Sequence, residues 1–325
     1  MEESVASSEP AHRVGPRVRP RRSHPTDRWF AAGDVFYLLY LGPLRLLSKV
    51  LPSPAFLSFT RPLVAAYPRV QSGLRRRVAG LMANSFPERS EKEIAALARE
   101  YVAWFARRAV EDLVLADLGR RRPLVVEGME HLEGALAGGR GALLFSGHFY
   151  PARVVRRCLR VQRGVTVTAV RRGGALNRGL GRFGARLLQP AYDRLLTRII
   201  DDEVQTREGF GTLEMLRRLR ANGVVFSTVD AAFARELWSV PLLGQPRVFP
   251  GGLLELARLA EAPLLPAELV EEAGRPCARF LPPLDLEPAP DREAFVATNL
   301  PRVVASFERT VARYPSQWEG WYAHD

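Results

Sequence analysis

From Pro123 to Leu284, short apolar runs rich in β-branched residues alternate with stretches of helical period. This alternation limits the fold more than any other feature of the chain. The β-like runs are PLVVEG, GALLFSG, GVTVTAV, TRIID, GVVFSTVD, APLLPAELV and CARFLPPL. Helical stretches fall between most of them, near 130–138, 152–162, 178–196, 209–221 and 251–261, and a last helix is predicted from Arg292 to Arg313. Strands separated by helices pair in parallel, with the helices covering both faces. The fold class is therefore α/β, a mostly parallel central sheet flanked by helices. Sites in such sheets gather beyond the carboxyl ends of the strands. Two polar residues stand at such ends: His148, which follows GALLFSG, and Asp230, which closes GVVFSTVD.

Upstream, helical patterns run from Arg61 to about Ser85 and from Ser90 to about Leu118. Ser90 followed by Glu93 makes a capping box for the second, and Ile94, Leu97, Tyr101, Trp104, Phe105 and Val110 follow at helical spacings. Residues 29–52, WFAAGDVFYLLYLGPLRLLSKVLP, mix aromatic and leucine residues with Arg45 and Lys49. The longest uncharged run there, Val35 to Leu44, is far short of the about 20 residues that span a bilayer. Two readings fit it, a membrane-docking helix lying in the interface and a buried first helix of the domain, and they are compatible. Residues 1–28 combine arginine and proline without apolar periodicity and lack the apolar core and cleavage site of a secretory signal peptide; they read as a disordered, polybasic arm. The expected organisation is this arm followed by one α/β domain over 29–325.

Composition narrows the chemistry. Cys158 and Cys277 make neither a disulfide framework nor a metal clip, and two isolated thiols fit a reducing, cytoplasmic-side location. The net charge is +12, carried almost wholly by arginine, since Lys49 and Lys92 are the only lysines. Arginine matches phosphates and carboxylates bidentately, so an anionic partner fits, as does a bias inherited from genome composition. A nucleic-acid partner would explain the charge but not a histidine at a strand tip. There is no phosphate-binding G-x-x-x-x-G-K-[ST] loop and no G-x-S-x-G nucleophile turn. Gly179, Gly181 and Gly184 have a G-x-G spacing, but no strand leads into Gly179, and helix packing is the better account. His12, His24, His131 and His324 form no metal-ligand spacing, and no metal or tightly bound cofactor is implied.

The ordered set FPERSEKEIAALAREY, VEGMEHLEGALAGGRGALLFSGHF, LRANGVVFSTVD, VPLLGQPRVFPGGLLELARLAEAPLLP and RYPSQW resembles the bacterial lipid A biosynthesis acyltransferases, the lauroyl/myristoyl transferases of the lysophospholipid acyltransferase superfamily. The resemblance covers roughly residues 35–320. It implies transfer of a fatty acyl chain from an acyl-thioester, carried by acyl carrier protein or coenzyme A, to a lipid or glycolipid hydroxyl. The place implied is the cytoplasmic face of the inner membrane, reached by a monotopic or peripheral protein with an anionic lipid acceptor and no nucleic acid.

That family carries an H-x4-[DE] motif, in which the histidine takes the proton of the acceptor hydroxyl and the carboxylate supports the imidazolium. His148 matches the base, but Arg153 stands in the carboxylate position. An arginine there disfavours imidazolium and is suited instead to a phosphate of donor or acceptor. Asp230, matching an aspartate the family has after a strand, is the first candidate for a substitute acid, and Asp201 or Asp202 the second, against a plain turn or helix cap. Arg171 matches an arginine the family uses near its anionic substrate, with an ordinary surface arginine as the competing view. Gly251 and Gly252 open a helix after Pro250, where exposed amides could receive an oxyanion or phosphate, or simply start the helix. Trp318 and Trp321 read as membrane-interface aromatics, and Glu308 as a family glutamate or a surface ion-pair partner. The competing class is a catalytically impaired relative that acts as a lipid-binding or scaffold protein.

Overall fold

The structure is a computed structural model that describes residues 12–14, 28–172, 180–199, 203–206, 210–230 and 236–323. Its strands are β1 His12–Val14, β2 Val125–Glu127, β3 Ala142–Ser146, β4 Val167–Arg172, β5 Glu203–Thr206, β6 Val224–Thr228, β7 Leu237–Leu242, β8 Gln245–Pro250, β9 Leu264–Glu272 and β10 Arg275–Phe280. Seven of these form one sheet in the order β2-β10-β9-β3-β6-β4-β5. Every pairing in it is parallel except the β9–β10 hairpin.

The sheet is covered on both faces, which explains why its strands read as continuous apolar runs rather than alternating ones. Side chains of β3 divide between the faces. Leu143 and Phe145 point into one core, with Val225, Leu264 and Val270. Ala142 and Leu144 point into the other, with Phe226, Leu265 and Leu269. The first core is closed by α4 Ser72–Ser85, α5 Glu91–Leu113 and, later in the chain, by the helices Phe210–Arg220, Gly252–Ala260 and Arg292–Arg313. The second is closed by α6 Leu115–Arg121, α7 Met129–Ala137 and α8 Ala152–Arg163. The capping box of α5 is present: the Glu93 amide donates to Ser90 Oγ, and the Ser90 amide to Glu93 Oε2.

Ahead of this domain come α1 Ala32–Leu39, α2 Arg45–Val50 and α3 Ser53–Val70, the first two joined by a π-helical turn that contains Pro43. Segment 29–52 packs one face on the domain and leaves the other open to solvent. Asp34 and Tyr40 are buried, whereas Trp29, Phe30, Val35, Phe36, Leu38, Leu39, Leu46 and Val50 are exposed. No helix among the described residues is long and apolar enough to cross a membrane. The inner face of α1 docks on the stretch leading into α9 Gln189–Ile199. Tyr37 and Tyr40 meet Tyr192 edge-on at 5.1 and 5.7 Å, and the Phe183 amide donates to Trp29 O. Asp34 accepts from the Ala31 amide at 2.8 Å and from the Gly181 amide at 3.0 Å. A Cβ on Gly184 would stand 1.8 Å from Asp34 Oδ1, so close approach of α1 explains the glycine there. Gly179 lies outside the described residues.

Two expectations are corrected, and one hairpin was not expected. The start of TRIID, Thr197–Ile199, is no strand but the end of α9, because Leu188, Tyr192 and Leu195 set a helical spacing; Ile200 and Asp201 lie outside the described residues. The sheet's next strand is Glu203–Thr206 instead. The pair β7–β8 was hidden by Pro241, Pro246 and Pro250; it is a hairpin outside the main sheet. Its turn places Leu243 and Gly244 at φ 51° and 69°, and Glu308 Oε2 secures it by accepting from the Leu243 amide at 2.5 Å. The arm is not structureless throughout, since β1 pairs antiparallel with β7; residues 1–11 and 15–27 lie outside the described residues.

Replacing Asp34 with alanine leaves the buried Gly181 amide and the part-buried Ala31 amide without their acceptor. A loss of about 2–3 kcal/mol in chemical denaturation is expected, together with faster amide exchange in α1.

Candidate active site

Strands β3 and β6 are parallel neighbours, with Ser146 opposite Thr228. His148 and Asp230 each lie two residues beyond that pair, so the register itself sets them side by side. His148 Nδ1 and Asp230 Oδ1 are 2.6 Å apart, and the His148 amide donates to Asp230 Oδ2 at 2.9 Å. A third donor, the Trp318 indole N–H, reaches Oδ2 at 2.7 Å. The Asp230 side chain is 1% exposed and that of His148 48%, so the acid is sealed while the ring keeps an open edge. A carboxylate can only accept, which puts the proton of a neutral imidazole on Nδ1 and the lone pair on Nε2. Thr228 Oγ1 stands 3.4 Å from that Nε2.

The pair shifts both titrations. Desolvation disfavours the imidazolium, but the charge and hydrogen bond of Asp230 outweigh it, and His148 is pushed up to about 9. Burial works against ionised Asp230 too, yet His148, its amide and the Trp318 indole hold that carboxyl down to about 2. Each partner thus favours the charged form of the other.

Gly147 makes the close approach possible. A Cβ there would stand 2.3 Å from Phe307 Cε2 and 3.1 Å from Asp230 Oδ2. The far end of the chain also reaches this loop: the Tyr150 amide donates to Gln317 O at 2.9 Å and the Glu319 amide to His148 O at 2.7 Å. Beneath the histidine, Glu319 ion-pairs with Arg108 and its carbonyl accepts from the Tyr101 hydroxyl at 3.1 Å. Burial opposes the Glu319 charge, but Arg108 and His148 hold its carboxyl below the ordinary range.

Arg153 does not take the place of the missing acid. It sits in the first turn of α8, where its Nη1 donates to Asp112 Oδ2 of α5 at 2.6 Å, and Asp112 is buried. Its charge is thereby matched by a carboxylate from another helix. Arg171 lies in β4, with its side chain outside the described residues, as are Asp201 and Asp202. Gly251 and Gly252 begin α11 Gly252–Ala260, after α10 Phe210–Arg220. A Cβ on Gly251 would crowd Val296 and Trp238, which accounts for that glycine by packing; one on Gly252 would meet nothing. Trp318 and Trp321 are each 1% exposed, so the expectation of interface aromatics is overturned: their rings pack 4.9 Å apart in the core.

Asp112, Arg108, Trp318 and Glu319 were missed as parts of this site. Asp112 had a signal, an acidic residue on the apolar side of a long helix; the others are brought in only by the tertiary fold. One acid–thiol group, Glu127, Glu272 and Cys277, is close enough for a metal, but Arg279 donates to both carboxylates, at 2.5 and 3.2 Å, and accounts for the cluster as an ion-pair ladder.

With the geometry in place, the comparisons decide the family. The sequence profile described as bacterial lipid A biosynthesis acyltransferase matches residues 31–321. The chain belongs to that family. Acyl transfer to a lipid is thus the general activity of its group. Among solved structures, the match to the 1-acyl-sn-glycerophosphate (LPA) acyltransferase PlsC from Thermotoga maritima has a TM-score of 0.33 and 14% identity, covering 86% of this chain and 97% of that one. No curated protein matches the sequence.

Writing the family's usual acid back into the motif, Arg153→Asp, sets a second carboxylate beside buried Asp112. Stability is expected to fall by about 3–5 kcal/mol, with no gain in acyl transfer, because Asp230 already occupies Nδ1. Denaturation curves and turnover of the same preparation check both halves.

Proposed function

We propose that the protein is an O-acyltransferase that moves a fatty acyl chain from an acyl-thioester to a lipid or glycolipid hydroxyl at the cytoplasmic face of the inner membrane. The observation that carries this is the half-exposed His148 ring, pinned at Nδ1 by a sealed aspartate, with Nε2 on the far side of the ring 3.4 Å from the Thr228 hydroxyl. Nε2 takes the proton of the acceptor hydroxyl as its oxygen attacks the thioester carbonyl. The tetrahedral intermediate collapses with cleavage of the C–S bond, and the imidazolium returns its proton to the departing thiolate. Asp230 stays ionised throughout and stabilises the cation between the two transfers. Donors of the carrier-protein or coenzyme A type both present the required thioester.

The exposed apolar residues of α1–α3, which continue with Phe59, Leu63 and Val70, favour docking of this end of the molecule on a membrane. Arg45, Lys49, Arg61 and Arg69 stand among them, a charge suited to anionic headgroups. Arg153 and Arg171 remain proposed contacts for anionic parts of donor or acceptor. Gly251 and Gly252 remain proposed amide donors at the start of α11. A catalytically impaired scaffold is disfavoured by the Asp230 partnership, which supplies what Arg153 cannot.

Removing the base is the direct test. His148→Ala should abolish acyl transfer to a lipid acceptor measured by mass spectrometry, and Asp230→Asn should lower it by up to about 10⁴-fold. Product equal to wild type from His148→Ala would overturn the reading. The pH profile carries the sign of the pairing. Only neutral His148 accepts a proton, so kcat/KM should climb with pH and level off near 9, where the ring loses its proton. In Asp230→Asn the break should move toward the ordinary histidine value, about 6.5.

A further inference from the structure

The two oxygens of Asp230 are not equivalent. Oδ1 serves His148, whereas Oδ2 takes both the His148 amide and the Trp318 indole. The first two contacts come from a single loop. Among the described residues, only the indole reaches it from outside that loop, and it comes from a segment 88 positions further along the chain. We propose that Trp318 is the positioning residue of the dyad: its N–H locks the rotation of the Asp230 carboxylate so that Oδ1 faces the ring, and it keeps the buried acid ionised. This rests on the catalytic reading of His148 and Asp230.

The surroundings show a segment built to hold that indole still. Gln317 grips the backbone of β9 twice, accepting from the Glu271 amide at 2.9 Å and donating to the Glu271 carbonyl at 2.8 Å. Trp318 itself pairs antiparallel with Phe149, the residue next to His148. Glu319 then holds the His148 carbonyl through its amide and Arg108 through its carboxylate. Three consecutive residues therefore fix, in order, a sheet strand, the acid and the loop of the base. The ring is wedged edge-on against Phe307 at 5.6 Å, and a Cβ on Gly320 would meet it at 2.1 Å, so its direction is set by packing on both sides. Phe307 is also the side chain that bars a Cβ at Gly147.

A carboxylate buried among rings gains much from each donor, because an ionised group without partners is costly there. With the indole gone, Oδ2 keeps the amide alone, the carboxylate can turn, and its hold on the imidazolium weakens.

The test replaces the donor and keeps the ring. Trp318→Phe should lower kcat about 10- to 100-fold, the range seen when a group that orients a ligating imidazole is removed, with KM for the acceptor unchanged. Its His148 titration, followed by NMR of the imidazole without any substrate, should move down from near 9 toward the value in Asp230→Asn. Wild-type kcat and titration in Trp318→Phe, with only a lower melting temperature, would overturn the inference. Should Asp230→Asn keep full acyl transfer while Trp318→Phe shifts the titration, the catalytic reading fails and the positioning contact stands. A measurement on the wild type covers a variant that does not fold. Of the five tryptophans, labelled with ¹⁵N, one indole N–H signal should follow the His148 midpoint and lose that dependence in Asp230→Asn. Five indole signals indifferent to His148 would equally sink the proposal.

Discussion

The hydrogen bond between His148 Nδ1 and Asp230 Oδ1 is the contact around which the candidate site is built, and it is a product of strand register. In a parallel pair the residues opposite one another run in step, so positions two beyond Ser146 and Thr228 meet at the carboxyl edge of the sheet. Nothing local in either segment demands the meeting. The crossovers that carry the chain from β3 through β4 and β5 and back to β6 decide it, and they place β6 directly beside β3.

Around that contact, charge is arranged in separated pairs rather than in a single cluster. Arg153 is matched by Asp112, Arg108 by Glu319, and His148 by Asp230. Each of these three positive groups has its own acid, drawn from a different element. A cation at the family's usual carboxylate position is therefore compatible with a protonatable ring nearby. Its field is offset by Asp112, and the ring answers to the nearer, hydrogen-bonded carboxylate.

Periodicity made most of the architecture legible. The helices over 129–137, 152–163, 210–220 and 252–260 lie where the pattern placed them, and the last helix spans Arg292–Arg313 as expected. The failures have physical causes. In TRIID the β-branched residues suggested a strand although its first three residues continue an amphipathic helix. In the hairpin 237–250, three prolines concealed strands whose turn depends on a glutamate from another helix. Trp318 was misplaced because an aromatic residue near a chain end suits an interface as well as a core. Spacing cannot tell the two apart; burial against Phe307 and Trp321 does.

By itself the sequence determined the class of fold, the strand tip that presents His148, the capping box of α5 and the family to which the chain belongs. These are local properties, carried by period, propensity and short motifs. The tertiary structure alone decided which acid serves the histidine, where the arginine of the altered motif turns and which indole steadies the pair. The physical reason is that these are contacts between segments 41, 82 and 88 residues apart. Their geometry depends on the order and register of strands, and a linear pattern of residues does not encode either one locally.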